Sequence, residues 1–239
     1  MRKLISNTIL LVIFFFTISN VTAQPGKVSF ISDYYLTSSG FNLSSREVLY
    51  TNALFLYHDF RYGINNHLSV GTGTIPLFIF YKVKNPTPVW FGMKASTALW
   101  QLLQLSAELK YIWISGGNEK NILLSGGGFT LGNHRYHFSG NVYYAFNPDF
   151  NTHWFFSAGA RAWLKGKTFL IAEYMYFPQN YISTERIISL GIQIHYSKMA
   201  LDLGLINFMK KTRSTDVILP YRGFFGPYVG LKWQILKGK

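Results

Sequence analysis

No cysteine occurs in the 239 residues. That excludes a lipid anchor on an N-terminal cysteine, a disulfide framework and a thiolate metal site. Acidic residues are also few, ten against 23 Lys and Arg. All charged residues together make up 14%, where a soluble domain averages ~25%. Beyond residue 23 no apolar run approaches the ~18 residues of a membrane-spanning helix, which excludes such helices from the body of the chain. Aromatic side chains, by contrast, are abundant at 18%, mostly Tyr and Phe. A chain with this balance is a soluble β-protein or a barrel in a bilayer. The closed barrel is the one sheet a bilayer tolerates, because it leaves no unpaired edge.

The first residues read as an export signal. Met1-Arg2-Lys3 is basic, Ile9 to Ile18 is an apolar core, and Val21-Thr22-Ala23 fits the small-residue cleavage rule. The domain expectation is therefore a signal peptide over residues 1–23 and a barrel over 24–239. A membrane anchor is the alternative, but the apolar core is short of the ~20 residues needed to span. The net charge of +13 would ordinarily point to nucleic acid. Here the basic residues are scattered over turns and the chain carries an export signal, so lipid phosphates at the membrane faces are the better partner and nucleic acid is not expected.

Periodicity predicts an all-β fold, a transmembrane antiparallel up-and-down β-barrel. Its twelve strands run over 27–37, 47–62, 67–82, 88–99, 102–114, 120–131, 134–146, 152–164, 168–178, 185–197, 199–209 and 222–236. The count falls toward ten if the first lacks a partner. Short connections alternate with long ones, the first long one being Thr37 to Arg46. This is the pattern of tight periplasmic turns and longer outer loops with both termini periplasmic. Within strands the alternation is clear: Leu103, Leu105, Ala107, Leu109, Tyr111 and Trp113 oppose Gln104, Ser106, Glu108 and Lys110. Gly126-Gly127-Gly128 interrupts the phase and predicts a bulge. A soluble barrel would turn the same apolar face inward. Three features favour lipid: long strands, a Gly- and Ser-rich polar face, and aromatics near strand ends. Trp90, Trp113, Phe146, Trp154, Tyr176 and Tyr228 mark one end, and Tyr62, Trp100, Tyr136, Trp163, Tyr196 and Trp233 the other.

Two resemblances add to this. The spacing Tyr228, Gly230, Trp233, Ile235 resembles the closing-strand signal through which outer-membrane barrels engage the barrel assembly machinery, although four residues follow Ile235. The stretch Phe55 to Tyr81, with Tyr62-Gly63-Ile64-Asn65-Asn66 before a strand bearing Gly71 and Gly73, resembles an outer-membrane β-barrel protein family of Bacteroidota-type bacteria. Ser38-Ser39-Gly40-Phe41-Asn42-Leu43 and Leu201-Asp202-Leu203-Gly204 are also similar. This resemblance implies an outer-membrane location and brings no activity and no catalytic residues.

By phase, Asp59, Arg61, Lys94, Glu108, Lys110, Arg161, Glu173, Asp202 and Lys232 are expected to point into the lumen. Lys94 with Glu108, and Arg161 with Glu173, are expected to form cross-strand pairs. Such charges either fill the barrel as an ion-pair network or line a narrow channel. No plug segment is evident. Five histidines, His58, His67, His134, His137 and His195, are placed toward the short turns. Near the outer rim, His153 with Ser157 and Asp149 could be drawn as a base, nucleophile and orienting acid, but Ser is common on the polar face. No cofactor or metal is expected, since there is no Gly-rich phosphate loop before a helix and no ligand cluster. Lys82, Lys84, Lys120, Arg186, Lys210, Lys211, Arg213 and Arg222 lie on or beside the long loops, and Lys210, Lys211 and Arg213 are the candidate contact for lipopolysaccharide phosphates. The leading functional expectation is a barrel without enzymatic activity, structural or a narrow passive pore for small solutes. The alternatives are an outer-leaflet lipid hydrolase, or a surface binding module around Tyr221, Phe224 and Phe225.

Overall fold

The computed structural model describes residue 34 and residues 37–53, 57–75, 87–115, 121–146, 154–177, 186–210 and 222–236. Twelve strands are present among them: β1 (Val48–Ala53), β2 (Tyr57–Asn65), β3 (Leu68–Thr74), β4 (Thr87–Trp100), β5 (Leu103–Ser115), β6 (Ile122–Gly132), β7 (Tyr136–Phe146), β8 (Trp154–Lys165), β9 (Thr168–Tyr176), β10 (Arg186–His195), β11 (Met199–Lys210) and β12 (Arg222–Leu236). Each pairs with its chain neighbours, and β1 pairs with β12 to close the barrel. Every pairing is antiparallel.

The count of twelve is reached by a different route from the one the periodicity implied. The expected single strand over 47–62 is a hairpin, β1 and β2, which pair directly from Val48 opposite Tyr62 to Ala53 opposite Tyr57. The expected strand over 27–37 is not a barrel strand in its described part: Tyr34 and Thr37 lie outside every strand and are buried. Thr37 to Arg46 is therefore not an outer loop. The first connection at the loop end is instead residues 54–56.

The five tight connections share one end. They are built by residues that tolerate turn backbone. Gly166 takes φ of 56° and Gly132 φ of 122°. Asn65 Oδ1 accepts from the amides of His67 (2.8 Å) and Leu68 (2.9 Å), and Asn133 does the same for Arg135 (2.8 Å) and Tyr136 (3.1 Å). Register runs unbroken through Gly126 to Gly128, so the expected bulge is absent. A Cβ at Gly126 would enter the Tyr143 ring, so the glycine there serves packing across the strands. The irregularities fall next to the turns instead, at Gly63/Asn65, Ala98/Trp100 and Trp163/Lys165, and at Val48/Leu49.

The outer face is apolar. Phe60, Phe91, Phe129, Phe138, Phe156, Leu170, Ile188, Leu190, Leu205 and Val229 are all exposed, and Trp100 is 73% exposed. Between strand ends, no described residue on this outward phase is charged. A Lys or Arg facing lipid at mid-depth costs ~2–4 kcal/mol, whereas a solvated sheet face would favour such residues. Tyr62, Trp100, Tyr136, Tyr196 and Trp233 are exposed near the short turns, and Trp113 and Trp154 near the loop end. Trp90 and Tyr228 are corrections to this belt. Both are buried and face inward; Trp90 reaches across Gly73, and Tyr228 lies over Gly191 and Gly204. The architecture is consistent with an outer-membrane location.

Candidate functional site in the barrel lumen

The lumen holds a segment of the chain itself. From Thr37 to Leu43 the backbone runs inside the barrel, in its short-turn half, and it reaches β1 by way of a bend at Ser45 and the exposed Arg46 beside the β2–β3 turn. Thr37, Ser39, Phe41, Leu43 and Glu47 are buried, with Ser39 at 0% exposure. The expectation that no segment plugs the barrel is thus corrected.

Wall residues from many strands hold this segment. Tyr34 Oη donates to the Gly159 carbonyl (2.9 Å) and meets Ser139 Oγ at 3.2 Å, where the serine hydroxyl can donate in turn. The Thr37 amide donates to Glu173 Oε1 at 2.9 Å. Ser38 Oγ donates to Glu108 Oε1 at 2.8 Å, while its carbonyl accepts from Asn141 Nδ2 at 2.9 Å. The Gly40 amide donates to Thr130 Oγ1, Lys94 Nζ donates to the Phe41 carbonyl (2.7 Å), and Ser69 Oγ donates to Asn42 Oδ1 (2.6 Å). The Phe41 ring packs on His134 and His137, with centroids 4.5 and 5.1 Å apart. At the exit, Arg46 donates its amide to the Gly63 carbonyl (2.7 Å) and takes φ of 62°. A polar backbone inside a barrel must find partners or water, and the Ser, Thr, Asn and charged side chains of the inner wall supply them.

Of the nine candidate lumen charges, Asp59, Lys94, Arg161, Glu173, Asp202 and Lys232 are buried, while Arg61, Glu108 and Lys110 are half-buried. Lys94 and Glu108 stand opposite each other. Arg161 and Glu173 do not: Arg161 stands opposite Ile171 and Glu173 opposite Gly159, because the shift between Trp163 and Lys165 offsets the register. Arg161 instead lies beside His195 Nε2 (2.9 Å) and over the Phe169 ring (3.8 Å). Glu173 accepts from Ser189 Oγ at 2.8 Å on its other oxygen. Across β10 to β12, Lys232 Nζ pairs with Asp202 Oδ2 at 3.1 Å, Gln193 Nε2 donates to Asp202 Oδ1 at 2.7 Å, and Gln193 Oε1 meets His195 Nε2 at 2.7 Å. The Lys232 contact is coulombic rather than a well-aligned hydrogen bond, since Asp202 Oδ2 has no hydrogen-bond partner among the described residues.

On the loop side of Ser38, between the segment and the wall of β1 to β5, lies a cavity of about 110 Å³. Asp59, Arg61, Lys94, Glu108 and Lys110 all line it. Asp59 is held by Arg61 Nε (2.6 Å) and by Trp90 Nε1 (3.0 Å), and Glu108 also accepts from Tyr143 Oη (3.1 Å).

Of the drawn triad, His153 and Asp149 lie outside the described residues. Ser157 is buried on the inner wall and accepts from Asn141 Nδ2 at 3.2 Å. His58 is at the loop end of β2 rather than toward the short turns, with Nδ1 2.7 Å from Tyr50 Oη. In the β6–β7 turn, burial and the nearby Arg161 hold the His134 imidazole below its usual range. No group of three or more His, Cys, Asp or Glu among the described residues is placed to hold a metal ion. Lys210 closes β11, but its side chain, like those of Phe224 and Phe225, lies outside the described part, as do Lys211, Arg213 and Tyr221. Of the closing-strand residues, Trp233 and Ile235 face outward and Tyr228 and Gly230 inward.

No protein-family model and no curated protein matches the sequence. Among solved structures, the chain is similar to a mutant porin of Rh. blastica with a TM-score of 0.41 and 11% identity, over 76% of this chain and 56% of that one. It thus spans little more than half of that porin's length. It is also similar to the Pseudomonas putida toluene transporter TodX, with a TM-score of 0.42 and 10% identity over 87% of this chain and 74% of that one.

Proposed function

We propose that this chain is an outer-membrane barrel without enzymatic activity, its short turns on the periplasmic side, whose lumen is closed by its own N-terminal segment. The observation that carries this is the run of Thr37 to Leu43 through the short-turn half of the lumen, tied to strands around the barrel. Between the two expected forms, structural barrel and narrow passive pore, that segment favours a barrel that does not conduct at rest. The uncharged, aromatic-rimmed outer face supports the membrane assignment. Engagement of the assembly machinery through Tyr228, Gly230, Trp233 and Ile235 belongs to the same proposal; of these, Trp233 and Ile235 present their side chains on the outer face.

The test is a recording of the purified native barrel in planar bilayers, paired with tryptophan quenching by brominated lipid. The expected result is a silent bilayer and quenched fluorescence from Trp100, Trp113, Trp154 and Trp233. Discrete single-channel steps from the native protein would overturn the closed lumen, and unquenched fluorescence would overturn the membrane placement.

A further inference from the structure

The cavity on the loop side of Ser38 carries a charge that its walls do not balance. Three cations, Arg61, Lys94 and Lys110, face two carboxylates, Asp59 and Glu108. Both carboxylates are already engaged: Asp59 by Arg61 and Trp90, Glu108 by Ser38 and Tyr143. Lys94 is spent on the Phe41 carbonyl. Lys110 is different. Its Nζ has no hydrogen bond and no ion pair within 4 Å among the described residues; it lies 5.9 Å from the centroid of the Trp90 ring and interacts with the Asp59 and Glu108 carboxylates only at longer range. The half-buried ammonium carries three donors, and the described wall supplies no acceptor at hydrogen-bond distance, so those donors face the cavity.

We propose that this cavity binds a small oxyanion through Lys110. The proposal rests on the closed-barrel reading, because Tyr34, Thr37 and Ser38 of the N-terminal segment form part of the cavity wall. Size bounds the ligand. A volume of about 110 Å³ admits several waters or one small carboxylate or phosphate, and falls well short of the ~300–1,000 Å³ of sites for drug-sized ligands. Charge gives its sign, since one monoanion neutralises the excess cation. The Trp90 ring beside Lys110 holds the ammonium in place without supplying an acceptor.

The test is isothermal titration calorimetry of the full-length barrel, folded in detergent, with sodium phosphate and separately with sodium acetate at constant ionic strength set by chloride. Saturable binding of at least one of the two is expected, and which arm binds distinguishes phosphate from carboxylate chemistry. Lys110→Gln is expected to weaken it roughly 10- to 100-fold, the loss of one charge-assisted hydrogen bond. Lys110→Arg should retain binding, and Lys167→Gln, at the exposed β8–β9 turn, should leave it unchanged. Folding of each variant is checked by heat-modifiable migration. Binding of neither anion by the native barrel, or equal binding by Lys110→Gln, or an equal loss in Lys167→Gln, would overturn the proposal. A silent barrel that binds neither anion refutes this site alone, whereas a conducting native barrel refutes the closed lumen first.

Discussion

Gly159→Val is the sharpest way to ask whether the luminal segment is held as described. The strand backbone accepts valine there, since Gly159 lies within β8 and has no positive φ. Space does not. A Cβ would sit 2.7 Å from Tyr34 Cε2 and 2.7 Å from Thr37 Oγ1. Thr37 can turn its hydroxyl away, but the Tyr34 ring must leave, and with it go two neutral hydrogen bonds to Gly159 and Ser139. The Thr37 amide bond to the Glu173 carboxylate goes as the segment shifts. At ~0.5–1.5 kcal/mol for each neutral bond and ~1.5–3 for the charged one, the loss is on the order of 2.5–6 kcal/mol, enough to raise the displaced population roughly fiftyfold or more. Displacement should be confined to residues 34–40, because Lys94 on the Phe41 carbonyl, Ser69 on Asn42 and the Arg46–Gly63 backbone bond hold the rest. The absence of cysteine makes the assay clean. Ser39→Cys, an isosteric change at a fully buried position, is the single thiol, and its maleimide labelling rate reads access to the segment. Labelling should be at least tenfold faster with Gly159→Val than without. Equal protection in both backgrounds would refute the reasoning, whatever the bilayer recordings show.

Three further outcomes are expected. Lys232→Met strands Asp202, whose pair is almost wholly buried, and should cost ~3–5 kcal/mol in urea unfolding, while Lys232→Met combined with Asp202→Leu should recover most of it; a single variant that unfolds with the native midpoint would count against the buried pair. Leu190→Arg, midway along the outer face of β10 and 54% exposed, should destabilise the barrel in lipid by ~2–4 kcal/mol, and a neutral effect there would favour a water-facing exterior. Neutralising Lys210, Lys211 and Arg213 together should reduce co-purifying lipopolysaccharide, each basic residue near an anionic surface contributing ~1 kcal/mol; unchanged bound lipid would remove that contact from the proposal.

Much of the barrel was legible because period-2 alternation is a local property. The faces of β5, β10, β11 and β12 follow from which residues are apolar, and a one-residue error would have put Glu108 or Asp202 into lipid. The tight turns were legible for a similar reason, since Asn65, Gly132, Asn133 and Gly166 carry the turn chemistry in their own side chains or lack of one. The β1–β2 hairpin was not. Leu54, Phe55 and Leu56 hold no turn residue, so alternation ran on through 47–62. Length gave no clue either, since single strands of this barrel run to 15 residues in β12 and 14 in β4.

The sequence by itself determined a sheet of alternating strands with one apolar face, because period-2 patterning is local, while long strands and aromatic strand ends favoured turning that face outward. What occupies the lumen was decided only by tertiary structure. Ser38 to Leu43 reads locally as a loop, and its partners Glu108, Thr130 and Asn141 lie 70 or more residues away in the chain, as do Gly159 from Tyr34 and Glu173 from Thr37. The same closure that pairs β1 with β12 brings those residues around one axis, and it sets Lys110 beside Trp90 on the inner wall. No spacing along the chain encodes that placement, because it follows from which strands the closed barrel sets beside one another and beside the luminal segment.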